Sequence, residues 1–119
     1  MVIKGIGIDI EDISRFRRTP FKNNRNFYEK IYNPPEIKYC LSKTDPYQHF
    51  AVRFCAKEAF IKAMDTNNKK KTSFPSYKDI SIVTKNSKPL IICKNKKYLL
   101  SLSHDKDKAV AIVVIEWKK

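Results

Sequence analysis

Small side chains recur at helical spacing between residues 48 and 65. Val52, Ala56, Ala59 and Ala63 fall at i, i+4, i+7 and i+11, with Cys55 beside them. The pattern predicts a helix over 48–65 with one side smooth enough to press closely against a sheet. Residues 2–10 read as a buried strand. Ile6, Ile8 and Ile10 fall on one face by the period-two rule, and Gly5, Gly7 and Asp9 on the other. These are the only two glycines in the chain. A glycine inside a strand often marks close approach by another backbone or by a ligand. The same pattern equally fits a bulge or tight sheet packing, with Asp9 capping the next helix.

The intervening and following segments complete the outline. Residues 11–18 read as helical, with acids near the N-terminus where the helix dipole favours them. Thr19-Pro20 is an N-cap and first-turn pair, so a helical stretch restarts there. Pro34-Pro35 ends that region, residues 36–42 form a short helix, and Asp45-Pro46 marks a turn. Residues 66–77 are a polar loop containing Lys69, Lys70 and Lys71. Strands are expected at 79–84, 90–93, 98–103 and 109–117, separated by turns at 85–89, 94–97 and 104–108. One strand, then helices, then an antiparallel meander argues an α+β fold in which an antiparallel sheet packs against a long helix. At 119 residues, with no repeat or linker, the chain reads as a single domain over 1–119.

Charge narrows the partners. The formal net charge is +13, all five arginines lie in the first half, and residues 61–119 hold most of the excess. Such a balance predicts an anionic partner: nucleic acid, a phosphate-rich small molecule or an acidic protein. Compositional bias toward lysine explains the excess equally well. Arg15, Arg18, Lys22 and Arg25 are spaced 3, 4 and 3, which would align them on one helical face were Pro20 not between them. No stretch approaches the ~20 apolar residues of a membrane span, and the N-terminus lacks a secretory signal's pattern. Cys40, Cys55 and Cys93 have no CxxC spacing, which argues against zinc and fits a reducing compartment.

Within the 48–65 helix, Arg53 and Lys57 form one i,i+4 pair and Glu58 and Lys62 another. Glu58 flanks the small-residue stripe, where a partly buried carboxylate would sit. The alternative is an ordinary surface Glu–Lys pair. His104 ends a strand, preceded by Ser101-Leu102-Ser103, and is a weak phosphate-contact candidate or simply a solvated turn residue.

Three segments carry a further signal: Gly5-Ile6-Gly7-Ile8-Asp9-Ile10, the run from Arg53 through Lys57-Glu58-Ala59 to Lys62-Ala63, and Ser101-Leu102-Ser103-His104. In that order they resemble the holo-acyl-carrier-protein synthases, the small 4′-phosphopantetheinyl transferases. The resemblance implies the phosphopantetheinyl transferase fold. It implies transfer of phosphopantetheine from coenzyme A to a serine of apo acyl carrier protein, in support of fatty acid biosynthesis, with release of adenosine 3′,5′-bisphosphate. It implies Mg²⁺ held by Asp9 and Glu58, with Glu58 and Lys62 catalytic. Lys62 would serve the leaving phosphate. The serine's base would be Glu58 itself or a water. Coenzyme A contacts would come from Arg53, Lys62, Lys88, Pro89, Ser103 and His104. Arg15, Arg18, Lys22 and Arg25 would meet the acidic carrier. A homotrimer is implied, as is a cytoplasmic location or, after loss of a transit peptide, an organellar one. Neither nucleic acid nor a membrane is an expected partner under this reading; a basic nucleic-acid-binding module is the alternative. The chain departs from the family's usual pattern in having no glycine at 65–71 and Ser87 where glycine is common.

Overall fold

The N-terminal strand, β1 (Ile3–Asp12), is longer than its alternating pattern foretold and runs straight into the cap of the first helix. Asp12, not Asp9, is that cap: its carboxylate accepts from the Ser14 backbone N–H at 3.3 Å and from the Ser14 hydroxyl at 3.0 Å. Helix α1 (Ile13–Arg17) is therefore shorter than expected at both ends. Thr19-Pro20 does not start a helix. A 3₁₀ turn (Phe21–Asn23) follows, then α2 (Arg25–Ile31). Helix α3 (Pro34–Leu41) begins with Pro34-Pro35 inside its first turn rather than before it. Asn33 and Glu36 close a reciprocal capping box there. Pro46 likewise opens α4 (Pro46–Asp65) instead of ending a turn.

The computed structural model describes residues 2–65 and 74–116. Most of the expected 66–77 loop, Lys69, Lys70 and Lys71 included, and Trp117 lie outside the described residues. A second 3₁₀ turn (Tyr77–Asp79) leads into the meander: β2 (Ser81–Lys85), β3 (Lys88–Cys93), β4 (Lys96–His104) and β5 (Lys108–Glu116). The five strands form one antiparallel sheet in the order β1-β5-β4-β3-β2. The α+β expectation thus holds. The β2–β3 and β3–β4 hairpins turn through Asn86-Ser87 and Lys94-Asn95, all four at positive φ. Two consecutive left-handed residues are the signature of the I′ turn, whose twist matches that of the flanking strands. Ser87 adopts by strain a conformation that glycine takes freely.

Helix α4 lies across the sheet's inner face. Phe50 through Lys57 are buried all round, and Ala56, Ala59 and Ala63 are fully so. Gly5 and Gly7 face this helix. A Cβ on Gly7 would sit 1.9 Å from the Ala59 carbonyl oxygen, and one on Gly5 2.1 Å from that of Ala63. Strand and helix main chains therefore touch, which only glycine permits. The isoleucines on the other side are not buried. Ile6, Ile8 and Ile10 are each more than half exposed, and with Leu99 and Ile112 they form an apolar outer face. The period-two rule separates the faces correctly, but the buried one is the glycine face. Burial follows the helix, and the helix needs the smaller side chains.

Candidate active site

Asp9 shares the glycine face of β1 and so points toward α4. Its Oδ1 accepts from Lys62 Nζ at 3.1 Å, and Lys62 also donates to the Ile8 carbonyl at 3.1 Å. Asp9 Oδ2 is buried and, among the described residues, has no hydrogen-bond donor. Glu58, one helical turn before Lys62, is half-buried, and its Oε1 accepts from the Tyr77 hydroxyl at 2.5 Å. Both carboxylates act electrostatically on Glu11, Lys62 and Tyr77, so they share one neighbourhood. The bond to Asp9 holds the Lys62 ammonium above its usual range, so it stays charged.

Two further groups belong to this neighbourhood. Glu11 is two residues past Asp9 on the same strand face. Burial, then the adjacent Asp9, pushes its carboxyl up to about 7, against the pull of Arg15 at 3.4 Å. The alternation that singled out Asp9 also points to Glu11. Tyr77 had no sequence signal, because it closes the expected 66–77 loop, where no periodicity operates. Burial and its bond to Glu58 push the phenol up to about 12, so it remains a donor.

Beneath the site lies a buried cation that the i,i+4 reading did not foresee. Lys57 is fully buried and places its three protons on Glu36 Oε1 at 2.6 Å, the Tyr77 carbonyl at 2.8 Å and the Ile31 carbonyl at 2.9 Å. Glu36 Oε2 accepts from the Ile82 backbone N–H at 2.9 Å. This ion pair joins α2, α3, α4 and β2 below the surface that carries Asp9 and Glu58.

The remaining candidates lie elsewhere. Arg53 is buried with its guanidinium over the Tyr39 ring, 4.3 Å from the centroid, and donates to the His49 carbonyl at 3.4 Å. Lys88 and Pro89 open β3, with β4 and β5 between them and β1. The pleat sends Ser103 and His104 to opposite faces of β4, so they do not act as one pair on one face. His104 Nδ1 lies 3.0 Å from the Gln48 side-chain amide nitrogen; accepting that donor leaves a neutral ring's proton on Nε2. Arg15, Arg18, Lys22 and Arg25 are exposed but do not share one helical face. They belong to α1, its C-cap, the 3₁₀ turn and α2, because Pro20 breaks the helix between them.

Residues 5–114 match the model of the 4′-phosphopantetheinyl transferase superfamily. The chain belongs to this family. A holo-[acyl-carrier-protein] synthase of Geotalea daltonii is 39% identical over 97% of this chain and 99% of its own length. Among solved structures, a holo-(acyl-carrier-protein) synthase of Bacillus anthracis in complex with CoA (3′,5′-ADP) superposes with a TM-score of 0.75. It is 34% identical and covers 96% of both chains. That of Helicobacter pylori, in complex with coenzyme A, gives 0.76 at 31% identity over 93% of this chain and 99% of that one. The sheet and its long helix are therefore the phosphopantetheinyl transferase fold.

A phosphopantetheinyl transferase site must handle a pyrophosphate, and the donor set here fits a hard cation. The buried, unpartnered Asp9 Oδ2 lies in the same neighbourhood as Glu58. Among the described residues no three His, Cys, Asp or Glu side chains are arranged to hold a metal on their own. Mg²⁺ suits such a site, since it is typically bound by one or two carboxylates with water and phosphate oxygens completing the shell.

Proposed function

We propose that this chain, acting as one domain over 1–119, transfers the 4′-phosphopantetheine of coenzyme A to a serine of apo acyl carrier protein. The observation that carries the reading is the convergence of Asp9, Glu58 and Lys62 where β1 meets α4, in a chain that belongs to the transferase family. Asp9 and Glu58 would hold Mg²⁺, which when bound supplies positive charge to the pyrophosphate oxygens.

The serine oxygen forms a bond to the β-phosphorus as that phosphorus loses its bridging oxygen to the departing adenosine 3′,5′-bisphosphate. The serine proton passes through a water to Glu58. Lys62 stabilises charge on the leaving phosphate, and its permanent charge suits that role. Chemistry of this kind depends mainly on alignment and charge stabilisation. His104, together with Ser103, Lys88, Pro89 and Arg53, is assigned to the nucleotide end of coenzyme A. The spread of those residues suits a site completed by a neighbouring copy. The exposed cations Arg15, Arg18, Lys22 and Arg25 would steer an acidic carrier.

The product would serve fatty acid biosynthesis in the cytoplasm; no helix among the described residues is long and apolar enough to cross a membrane. The large aromatics Phe16, Tyr28, Tyr32, Phe50 and Phe60 are core residues, so they offer no platform for stacking nucleic-acid bases.

The test is mass spectrometry of an apo carrier protein incubated with this chain, coenzyme A and Mg²⁺. The phosphopantetheine mass increment is expected for the wild type. Asp9→Ala, Glu58→Ala and Lys62→Ala should each slow it by about 100-fold or more, about 2.7 kcal/mol of lost transition-state stabilisation. No increment with the wild type overturns the transfer reading, and full activity of both carboxylate variants overturns the metal assignment.

A further inference from the structure

We propose that Tyr77 is a positioning residue for Glu58, holding one oxygen of that carboxylate so that the other is left to a divalent cation. The inference rests on the metal-dependent reading above and assigns a role to a residue outside the Asp9–Glu58–Lys62 group.

The Tyr77 hydroxyl donates to Glu58 Oε1 at 2.5 Å, while Glu58 Oε2 accepts nothing from the other described residues. A glutamate on a helix has three side-chain torsions, and a cation that binds it must halt them. A partner that halts them beforehand raises affinity without touching the cation. A tyrosine on a free loop could not do this, since it would move with its carboxylate. Tyr77 is not free. Its carbonyl accepts from Lys57 Nζ at 2.8 Å, and its ring meets Phe54 at 5.6 Å between centroids. Lys57 adjoins Glu58 on α4 and is fixed in turn by Glu36 and the Ile31 carbonyl. The main chain of the Tyr77–Asp79 turn is thus tied to the helix that carries Glu58. The hydroxyl and the carboxylate it holds belong to one frame. A hydrogen bond to an ionised carboxylate is strong enough to set its orientation.

Tyr77→Phe keeps the ring and the carbonyl clamp and removes only the donor. Its metal affinity is read directly by Mn²⁺ binding, followed by electron paramagnetic resonance with coenzyme A present. Alongside it runs the Mg²⁺ concentration that gives half-maximal transfer. The Mn²⁺ dissociation constant and the half-maximal Mg²⁺ concentration should both rise about tenfold, with the KM for carrier protein and the thermal midpoint unchanged and kcat recovered at high Mg²⁺. A variant equal to wild type in both metal readouts overturns the assignment. So does one that loses stability with its metal dependence unaltered, or a wild type that binds no Mn²⁺. A wild type that binds Mn²⁺ but transfers nothing sinks the transferase reading alone, and the Mn²⁺ comparison still decides the role of Tyr77. Should Tyr77→Phe fail to fold, ¹³Cζ-tyrosine labelling of the wild type reads the same bond. The Tyr77 signal should shift when Mg²⁺ and coenzyme A are added, and an unmoved signal overturns the proposal.

Discussion

Glu11 shows how much one carboxylate depends on its strand position. Its folded-state pKa, about 7, stands above the ordinary 4.5, because burial and the adjacent Asp9 both oppose its charge. Between pH 4.5 and 7 the folded protein binds more protons at this site than the unfolded one, so stability falls as pH rises through that window and the loss persists above it. In chelator-treated protein, Glu11→Gln should therefore flatten the decline in thermal midpoint between pH 5 and pH 8 and raise the midpoint at pH 8. An unchanged slope would show that Asp9 and Glu11 do not oppose one another. Alternation and helical spacing, both local, placed Asp9 and Glu58 where a functional or a plainly structural reading fitted equally; the resemblance to the transferase family is what selected them, with Lys62. Glu11 was within reach of the same alternation. Tyr77 was not: no local pattern shows that the last residue of the expected loop returns to Glu58. Nor does an Arg53–Lys57 spacing reveal that both cations are buried. Burial of Lys57 is tolerated because Glu36 and two carbonyls take all three of its protons.

At the scale of elements, the contact between β1 and α4 decides the site. Both carboxylates hang from main chains that meet at Gly7–Ala59 and Gly5–Ala63. Gly7→Ala would force a methyl group to within 1.9 Å of a carbonyl oxygen, so the helix must withdraw. We expect a loss of about 1–3 kcal/mol in urea unfolding. Transfer activity should fall further than stability accounts for, because Asp9 and Glu58 separate; wild-type stability in this variant would refute the contact. The helix and the meander were legible, since a stripe of small residues and short apolar runs between turn residues are strong local signals. The breaks near the N-terminus were misjudged. Thr19-Pro20 carries the chemistry of a helix start, yet Pro20 precedes only a 3₁₀ turn, and the helix waits for Arg25. Apolar alternation in β1 was read as burial, but alternation divides the faces without saying which one the helix covers.

For the whole molecule, that uncovered face is the main unsatisfied feature. Ile6, Ile8 and Ile10 line up on β1 beside Ile112 of β5, with Leu99 of β4 next along the sheet. Isolated soluble chains seldom leave so continuous an apolar surface in water. A homotrimer, as the family resemblance implies, would cover it. Light scattering on the wild type should give three times the 14.0 kDa chain mass. Ile8→Lys should give the monomer mass with an unchanged far-ultraviolet circular dichroism spectrum, and a trimer that survives this substitution would place the interface elsewhere. The inner side of the same strand carries the opposite lesson. Where glycine meets alanine backbone there is no rotamer to turn and no methyl to compress. The spacing of the two main chains that carry the acids is set there by peptide geometry alone. Warming the protein should change that spacing only when the helix slides along the strand as a body, so the frame under the two acids would fail abruptly rather than fade.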